Sequence, residues 1–285
     1  MSVETPNHEQ EEFWSRQGGL TWSQNDHILD ATLAPVLDHL LDHAGLQPGE
    51  DVLDIGCGTG LSTIRAAKAV GPEGQATGAD IADQMLVRAR QQAAQHGTDN
   101  LEFLCADAQT HAFSSNAFDT VISRFGVMFF ADPAAAFANI AASVKPGGRM
   151  VFMTWASLAK NPWFSVPRAV ALDRLGAIEP TPPNAPGPLG LADQAYTAGV
   201  FRRAGLDDVT ITPVPVDLTP PGTAQDVGTF SLSLGPATRI MMEKNGTEED
   251  GAAIAAAVAH EFSAYDTDHG LRIPAVLNRI VVQLP

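Results

Sequence analysis

The chain is short of positive charge, of thiols and of long apolar runs, and each shortage excludes a class of function. Lys and Arg number 17 against 33 Asp and Glu, a formal charge of -16. A surface that negative repels phosphate backbones and anionic headgroups over about a Debye length, so nucleic acid and membrane surfaces are not expected as partners. No stretch approaches the roughly 20 consecutive apolar residues that span a bilayer. The opening MSVETPNHEQEEFW lacks the basic and apolar blocks of a secretory leader, and the expected location is the cytoplasm. Cys57 and Cys105 are the two cysteines. They read as buried free thiols on neighbouring strands, because the Cys/His spacing of a metal site is missing and no metal is expected.

What is present is an ordinary globular composition: 45% hydrophobic and 18% charged residues in a chain of 285. From Gln47 to Trp155 short apolar runs alternate with longer stretches of helical period, the rhythm of βαβ units. Strands are expected at Val52–Ile55, Gln75–Ala79, Leu101–Leu104, Thr120–Ile122 and Arg149–Thr154, and helices at Ser62–Val70, Ala82–Gln95 and Pro133–Val144. Lys145-Pro146-Gly147-Gly148 is expected to break the last of these helices. Upstream, Asp30–His43 reads as one amphipathic helix. Residues 1–45 are expected to form a helical lid, with Gly18-Gly19 as its joint between Trp14 and Trp22. Downstream, Pro162–Gly176 and Gln194–Ala204 read as helices and Val209–Val216 and Val276–Leu284 as strands. A helical insertion at about 223–265 belongs to a main domain covering 46–285.

The segment Val52-Leu53-Asp54-Ile55-Gly56-Cys57-Gly58-Thr59-Gly60 falls where a first strand hands over to a first helix. Glycines there let backbone approach a ligand closely. The third glycine of the dinucleotide pattern would fall at Leu61, and Asp54 precedes the loop inside the strand. A pyrophosphate gains nothing from that carboxylate, whereas a cationic ligand does.

VLDIGCGTG resembles the first motif of the class I S-adenosylmethionine-dependent methyltransferases. The likeness continues through Asp80 in TGADIADQML, Asp107 in FLCADAQ, Ser123 in FDTVISRFGV and KPGGRMVF at 145–152. It implies a Rossmann-like α/β fold: a seven-stranded, mostly parallel sheet with helices on both faces and an antiparallel last strand. It also implies S-adenosylmethionine as cofactor, with S-adenosylhomocysteine as product. Asp54 with Gly56, Cys57, Gly58 and Gly60 would face the methionine part, and Asp80 the ribose hydroxyls. Ile81 and Met85 would flank the adenine, with Asp107, Ala108 and Gln109 at its edge. Ser123 and Trp22 complete the implied cofactor set. The stretch SRFGVMFFADPAAAF, with NPW after the next strand, resembles a bacterial branch acting on small molecules.

Ligands of open α/β sheets bind outside the carboxyl ends of the strands, so Phe125, Trp155, Asn161 and Trp163, with Trp14 of the lid, are expected to line the acceptor pocket. Met128, Phe129 and Phe130 read as core. Methyl transfer from a sulfonium needs mainly in-line positioning. If the nucleophile must lose a proton, His111 is the candidate base, and Arg124 a candidate for an acceptor carboxylate. The Asp/Asn-Pro-Pro-Tyr pattern of amide methylation is missing after the fourth strand, where Ser123-Arg124-Phe125-Gly126 stands instead. The acceptor atom stays open, as do monomer and homodimer. Two competing readings are a nicotinamide-dependent oxidoreductase and a non-catalytic cofactor-binding protein.

Overall fold

The computed structural model describes residues 6–285; the first five residues assigned to the lid lie outside the described residues. Four helices lead in: α1 (His8–Trp14), α2 (Gln17–Gln24), α3 (Asp26–Thr32) and α4 (Ala34–Ala44). The core then alternates β1 (Asp51–Ile55), α5 (Leu61–Val70), β2 (Gln75–Asp80), α6 (Asp83–His96), β3 (Leu101–Cys105), β4 (Phe118–Arg124), α7 (Pro133–Ala141) and β5 (Val144–Trp155). It continues through α8 (Pro162–Leu175), α9 (Gln194–Arg203), β6 (Val209–Leu218), α10 (Ala224–Phe230), α11 (Pro236–Glu243), α12 (Glu248–Phe262) and β7 (Ile273–Gln283).

All seven strands form one sheet in the order β3-β2-β1-β4-β5-β7-β6. The strands of the β3-β2-β1-β4-β5 run pair in parallel, and β7 lies antiparallel between β5 and β6. Strands β1 and β4 are therefore interior neighbours, and the chain reverses direction across the sheet between them. That switch point is where ligands of open α/β sheets bind.

Several local readings are corrected. The stretch expected as one helix from Asp30 is two, broken at Leu33, because Pro35 has no N–H to give and opens a new first turn in α4. Helix α4 packs Val36, Leu37 and Leu40, all fully buried, onto the sheet and is part of the main core. Helix α7 stops at Ala141, and β5 already begins at Val144, running through Lys145-Pro146-Gly147-Gly148 with a register shift opposite Phe118 and Thr120. Gly18 and Gly19 lie inside α2; a side chain there would strike the Phe13 ring or the Trp14 carbonyl, so they allow α2 to pack close on α1. Cys57 and Cys105 are both free, but Cys105 is exposed, and β2 lies between their two strands. Among the described residues no helix is long and apolar enough to cross a membrane.

Candidate cofactor and acceptor site

The carboxyl end of β1 turns at Gly56, whose φ of 65° is left-handed. A Cβ on Gly56 would stand 2.5 Å from Gly126 Cα, so two backbones from neighbouring strand ends touch here with no room for a side chain. The turn is held by β2: Gly56 N–H donates to the Ala79 carbonyl at 2.8 Å and Gly58 N–H to Asp80 Oδ2 at 2.8 Å. Asp80 Oδ1 accepts from Ala82 N–H at 2.9 Å. Asp80 thus ties the glycine loop to the start of α6, and burial pushes its carboxyl above the usual range against those bonds. The Met85 methyl and the Trp22 indole lie next to Gly58, and Ile81 is half-buried. Cys57 is buried in the loop, and its thiol is pushed up by burial and by the charges of Asp80 and Asp54.

Asp54 is 1% exposed. Its Oδ2 accepts from Ser62 Oγ at 2.6 Å and Thr63 Oγ1 at 2.7 Å, hydroxyls from the first turn of α5. Burial raises its pKa to about 6, opposed by those two bonds and by the Arg124 charge and aided by the Asp80 charge.

After β3, Asp107 Oδ1 accepts from Gln109 N–H at 2.9 Å and Oδ2 from Thr110 Oγ1 at 3.2 Å, which curls residues 107–110 into a turn. Asn139 of α7 fixes that turn by donating to the Ala108 and His111 carbonyls. Asn7, 3% exposed, enters from the N-terminal segment: its Nδ2 donates to Asp107 Oδ1 and Gln109 Oε1, and its Oδ1 accepts from Ala131 N–H. The sequence carried no signal for Asn7. The Ser62-Thr63 pair was detectable, since two hydroxyls one turn beyond a strand carboxylate are placed to donate to it.

Two expected site residues turn out to be braces. Ser123 is fully buried, donates to the Ile55 carbonyl at 2.6 Å and accepts from Gly126 N–H, pinning β1 to the turn after β4. Asn161 is fully buried, with its Nδ2 donating to the Ala156, Ser157 and Val276 carbonyls and its Oδ1 accepting from Val276 N–H, so it clamps the end of β5 to β7. His111 lines a groove of about 320 Å³ with Asp51, Gln75 and Thr77, residues toward the amino ends of their strands, and stacks edge-on against Phe113. Its backbone N–H donates to the Asp107 carbonyl at 2.8 Å, so it closes the 107–110 turn while its ring lies in that groove. Arg124 is at the switch point, but its Nη2 is bonded to Asp30 of α3 at 2.9 Å.

Of the other residues expected to line the acceptor pocket, Phe125 and Trp155 are brought together, while Trp163 and Trp14 pack in contacts of their own. Phe125, forced to a φ of 72°, lies flat on Trp155 with ring centroids 4.5 Å apart and planes 2° from parallel. Trp155 meets Phe164 edge-on at 4.9 Å, and Trp163 reaches Phe230 of α10 at 6.2 Å. Trp14 sits edge-on to both Trp22 and Phe129. A non-glycine residue held at positive φ costs of order 1–3 kcal/mol, and such strain collects at ligand sites. Met128 and Phe130 are buried and Phe129 is packed against the core.

A parallel switch-point sheet with a glycine turn and acidic residues at three successive strand ends defines a Rossmann-like, nucleoside-binding α/β protein. Residues 52–148 match the sequence family described as a methyltransferase domain. Among curated proteins it is similar to aklanonic acid methyltransferase DauC of Streptomyces sp. (strain C5), 38% identical over 118 residues, 41% of this chain and 54% of that one. It is also similar to nocamycin O-methyltransferase of Saccharothrix syringae, 36% identical over 127 residues, 43% of this chain and 45% of that one. The chain thus spans about half the length of the curated relatives it matches. Among solved structures, Haemonchus contortus phosphoethanolamine N-methyltransferase 2 with S-adenosyl-L-methionine superposes with a TM-score of 0.59 at 17% identity, over 100% of this chain and 61% of that one. The [4+2]-cyclase SpnF superposes at 0.55 and 18% identity, over 95% and 96%. At these identities the likeness shows the fold alone, and the cyclase illustrates that fold and chemistry are separable.

The residues present fit S-adenosylmethionine. Asp54 Oδ1 is a buried acceptor without a partner among the described residues, suited to a cation.

Proposed function

We propose that this chain transfers the methyl group of S-adenosylmethionine to a small organic acceptor with an apolar body. The observation carrying this reading is the convergence of the Gly56–Gly60 turn, Asp54, Asp80 and Asp107 on one switch point within the matched domain. The bound cofactor supplies an already activated methyl on a cationic sulfur. The chain then needs to bind, orient and exclude water. Asp80, fixed by Gly58 and Ala82, presents its remaining lone pairs to the ribose hydroxyls. Asp107 and the backbone of the 107–110 turn read the adenine edge. The half-buried Phe164 and Trp163 offer aromatic surface to the acceptor, with the buried Phe125–Trp155 stack behind Phe164, which supports an apolar body. Between α8 and the α10–α12 cap the residual cavity is about 10 Å³, room for little more than a water, so a larger acceptor requires the cap to shift.

Helices α1 and α2, with Trp14 and Trp22, form the lid over this site, and the place of action is the cytoplasm. The net charge of -16 supports a partner list free of nucleic acid and anionic membrane. The test is a thermal scan with S-adenosylhomocysteine and with NAD. Saturation at 100 times the dissociation constant adds roughly 2.7 kcal/mol to a protein that binds only when folded. Stabilisation by NAD alone would restore the oxidoreductase reading.

A further inference from the structure

Parallel strands are normally covered on both faces, because each crossover lays a helix on one side of the sheet or the other. Here α5 and α6 pack together on one face of β1, β2 and β3. Phe103 points into that layer, where a Cβ on Gly60 would meet its ring and Ala89 of α6 at once. Side chains alternate along a strand, so Glu102 and Leu104 face the other way, and the register sets Thr77 beside Glu102. The connection from β3 to β4, residues 106–117, contains no helix. It crosses this second face as a loop and borders the groove of about 320 Å³ that His111 lines.

The groove has an apolar floor and an acidic rim. Leu104, Phe113 and Phe118 lie half-buried in it. Glu102 is exposed; its Oε1 accepts from Thr77 Oγ1 at 3.1 Å, and no cation pairs with it among the described residues. At the far end Asp51 and Asp119 share Lys145, two carboxylates to one ammonium. No Lys or Arg lines the groove, so its field is negative, as is the chain as a whole at -16. The volume is that of a small-molecule site. An anion is repelled there, and a neutral molecule leaves Glu102 without a counter-charge. A flat apolar ring carrying an ammonium answers both floor and rim, and the Phe113 and Phe118 rings attract a cation as well.

The loop that walls this groove also builds the turn assigned to the adenine edge. His111 closes that turn through its N–H to the Asp107 carbonyl, and Asn139 holds the Ala108 and His111 carbonyls together. We propose that the groove is a second binding site, for a small arylalkyl ammonium compound, and that its occupation fixes residues 107–113 and so tightens nucleoside binding. The site stands apart from the proposed function; the coupling rests on it, and linkage makes that coupling reciprocal.

Isotope-labelled protein is titrated with 2-phenylethylammonium, 2-phenylethanol and phenylacetate, which share a ring and differ in charge, and backbone amides are followed by NMR. The ammonium alone is expected to shift residues 102–104 and 111–118. Glu102→Gln should weaken it about ten-fold, as for loss of a hydrogen bond to a charged group, and Leu104→Trp, which fills the groove, should abolish it. If either variant does not fold, the wild-type series still decides. Equal responses to the three compounds, or no response at these residues up to the solubility of the ammonium, overturn the site. Shifts confined to Trp163 and Phe164 would place the probe in the acceptor region and overturn it as well. So would broadening of the groove amides with protein concentration alone, the mark of a second copy covering this face. Calorimetry then reads the coupling: saturating ammonium should tighten S-adenosylhomocysteine about five-fold or more. Unchanged nucleoside affinity overturns the coupling. A nucleoside that does not bind at all overturns the proposed function and the coupling with it, while the site is decided by the titration alone.

Discussion

Asn7 donates to Asp107 Oδ1 at 2.8 Å, across 100 residues of sequence, and thereby joins the segment leading into α1 to the carboxylate proposed for the adenine edge. The same carboxamide accepts from Ala131 N–H at 2.7 Å. Further along, Gln84 of α6 donates to the Trp14 and Arg16 carbonyls, and Arg88 and Gln92 of α6 hold Asp26. The lid is therefore fastened by a few polar contacts at intervals, with the Trp14 and Trp22 rings between them.

Removing the first fastening should loosen the lid without unfolding the sheet. Asn7→Ala is expected to raise hydrogen exchange across residues 8–24 by roughly ten-fold or more, the equivalent of about 1.5–3 kcal/mol for bonds to a charged group. Saturating S-adenosylhomocysteine should protect the same residues in wild type. Identical exchange with and without the nucleoside would show a permanent anchor in place of a lid.

Asp80 has two duties, and substitution should reveal both. Asp80→Asn places an amide N–H against either Gly58 N–H or Ala82 N–H, because the carboxamide can accept on one side only. The expected result is a loss of about 1.5–3 kcal/mol in S-adenosylhomocysteine affinity together with a lower melting temperature. Equal affinity in a folded variant would remove Asp80 from the ribose site.

Asp54 should make both stability and binding pH-dependent. The folded chain keeps its carboxyl proton up to about 6, whereas an ordinary aspartate releases it near 3.8. Between those values the folded state binds more protons than the unfolded one, so stability falls as pH rises through that window; the Asp80 shift acts in the same direction. A bound ammonium favours the ionised form, so S-adenosylhomocysteine affinity should rise over the same window with release of a proton. Calorimetry near pH 5.5 in two buffers of different ionisation enthalpy measures that proton, and Asp54→Asn should abolish it.

Gly126→Ala should destabilise the protein with no change in charge or polarity. Its Cβ would fall 2.5 Å from the Ile55 carbonyl oxygen and 2.6 Å from Gly56 Cα, both backbone atoms that no rotamer change can move. The expected cost is about 1–3 kcal/mol or more, as for overpacking, measured by urea unfolding. Wild-type stability would show that the two turns separate freely.

The strands and their order of use were legible because apolar runs such as Val52–Ile55 end in glycine or aspartate, and those punctuation marks are also the residues proposed to contact the ligand. Boundaries failed where a glycine pair lay inside an element: Gly147-Gly148 read as a stop but sits in β5, and Gly18-Gly19 read as a hinge but sits in α2. The site was legible as far as residue types at strand ends allow. Ser123 and Asn161 were misjudged because a short polar side chain in a cleft looks the same in sequence whether it faces the ligand or backbone carbonyls. Asn7 and Asp30 were missed because their partners lie 100 and 94 residues away.

Strand β7 occupies the slot between β5 and β6, yet it is synthesised after both and after the whole α10–α12 cap. While the chain emerges from the ribosome, β5 and β6 therefore present unpaired edges, and the nascent protein carries two open templates for association at the end of the sheet opposite β3. Joining them is a long-range step, since Arg149 of β5 must find Gln283. The half of the sheet bearing the cofactor loops can assemble before this closure, so the order of synthesis separates building the nucleoside site from sealing the scaffold behind it.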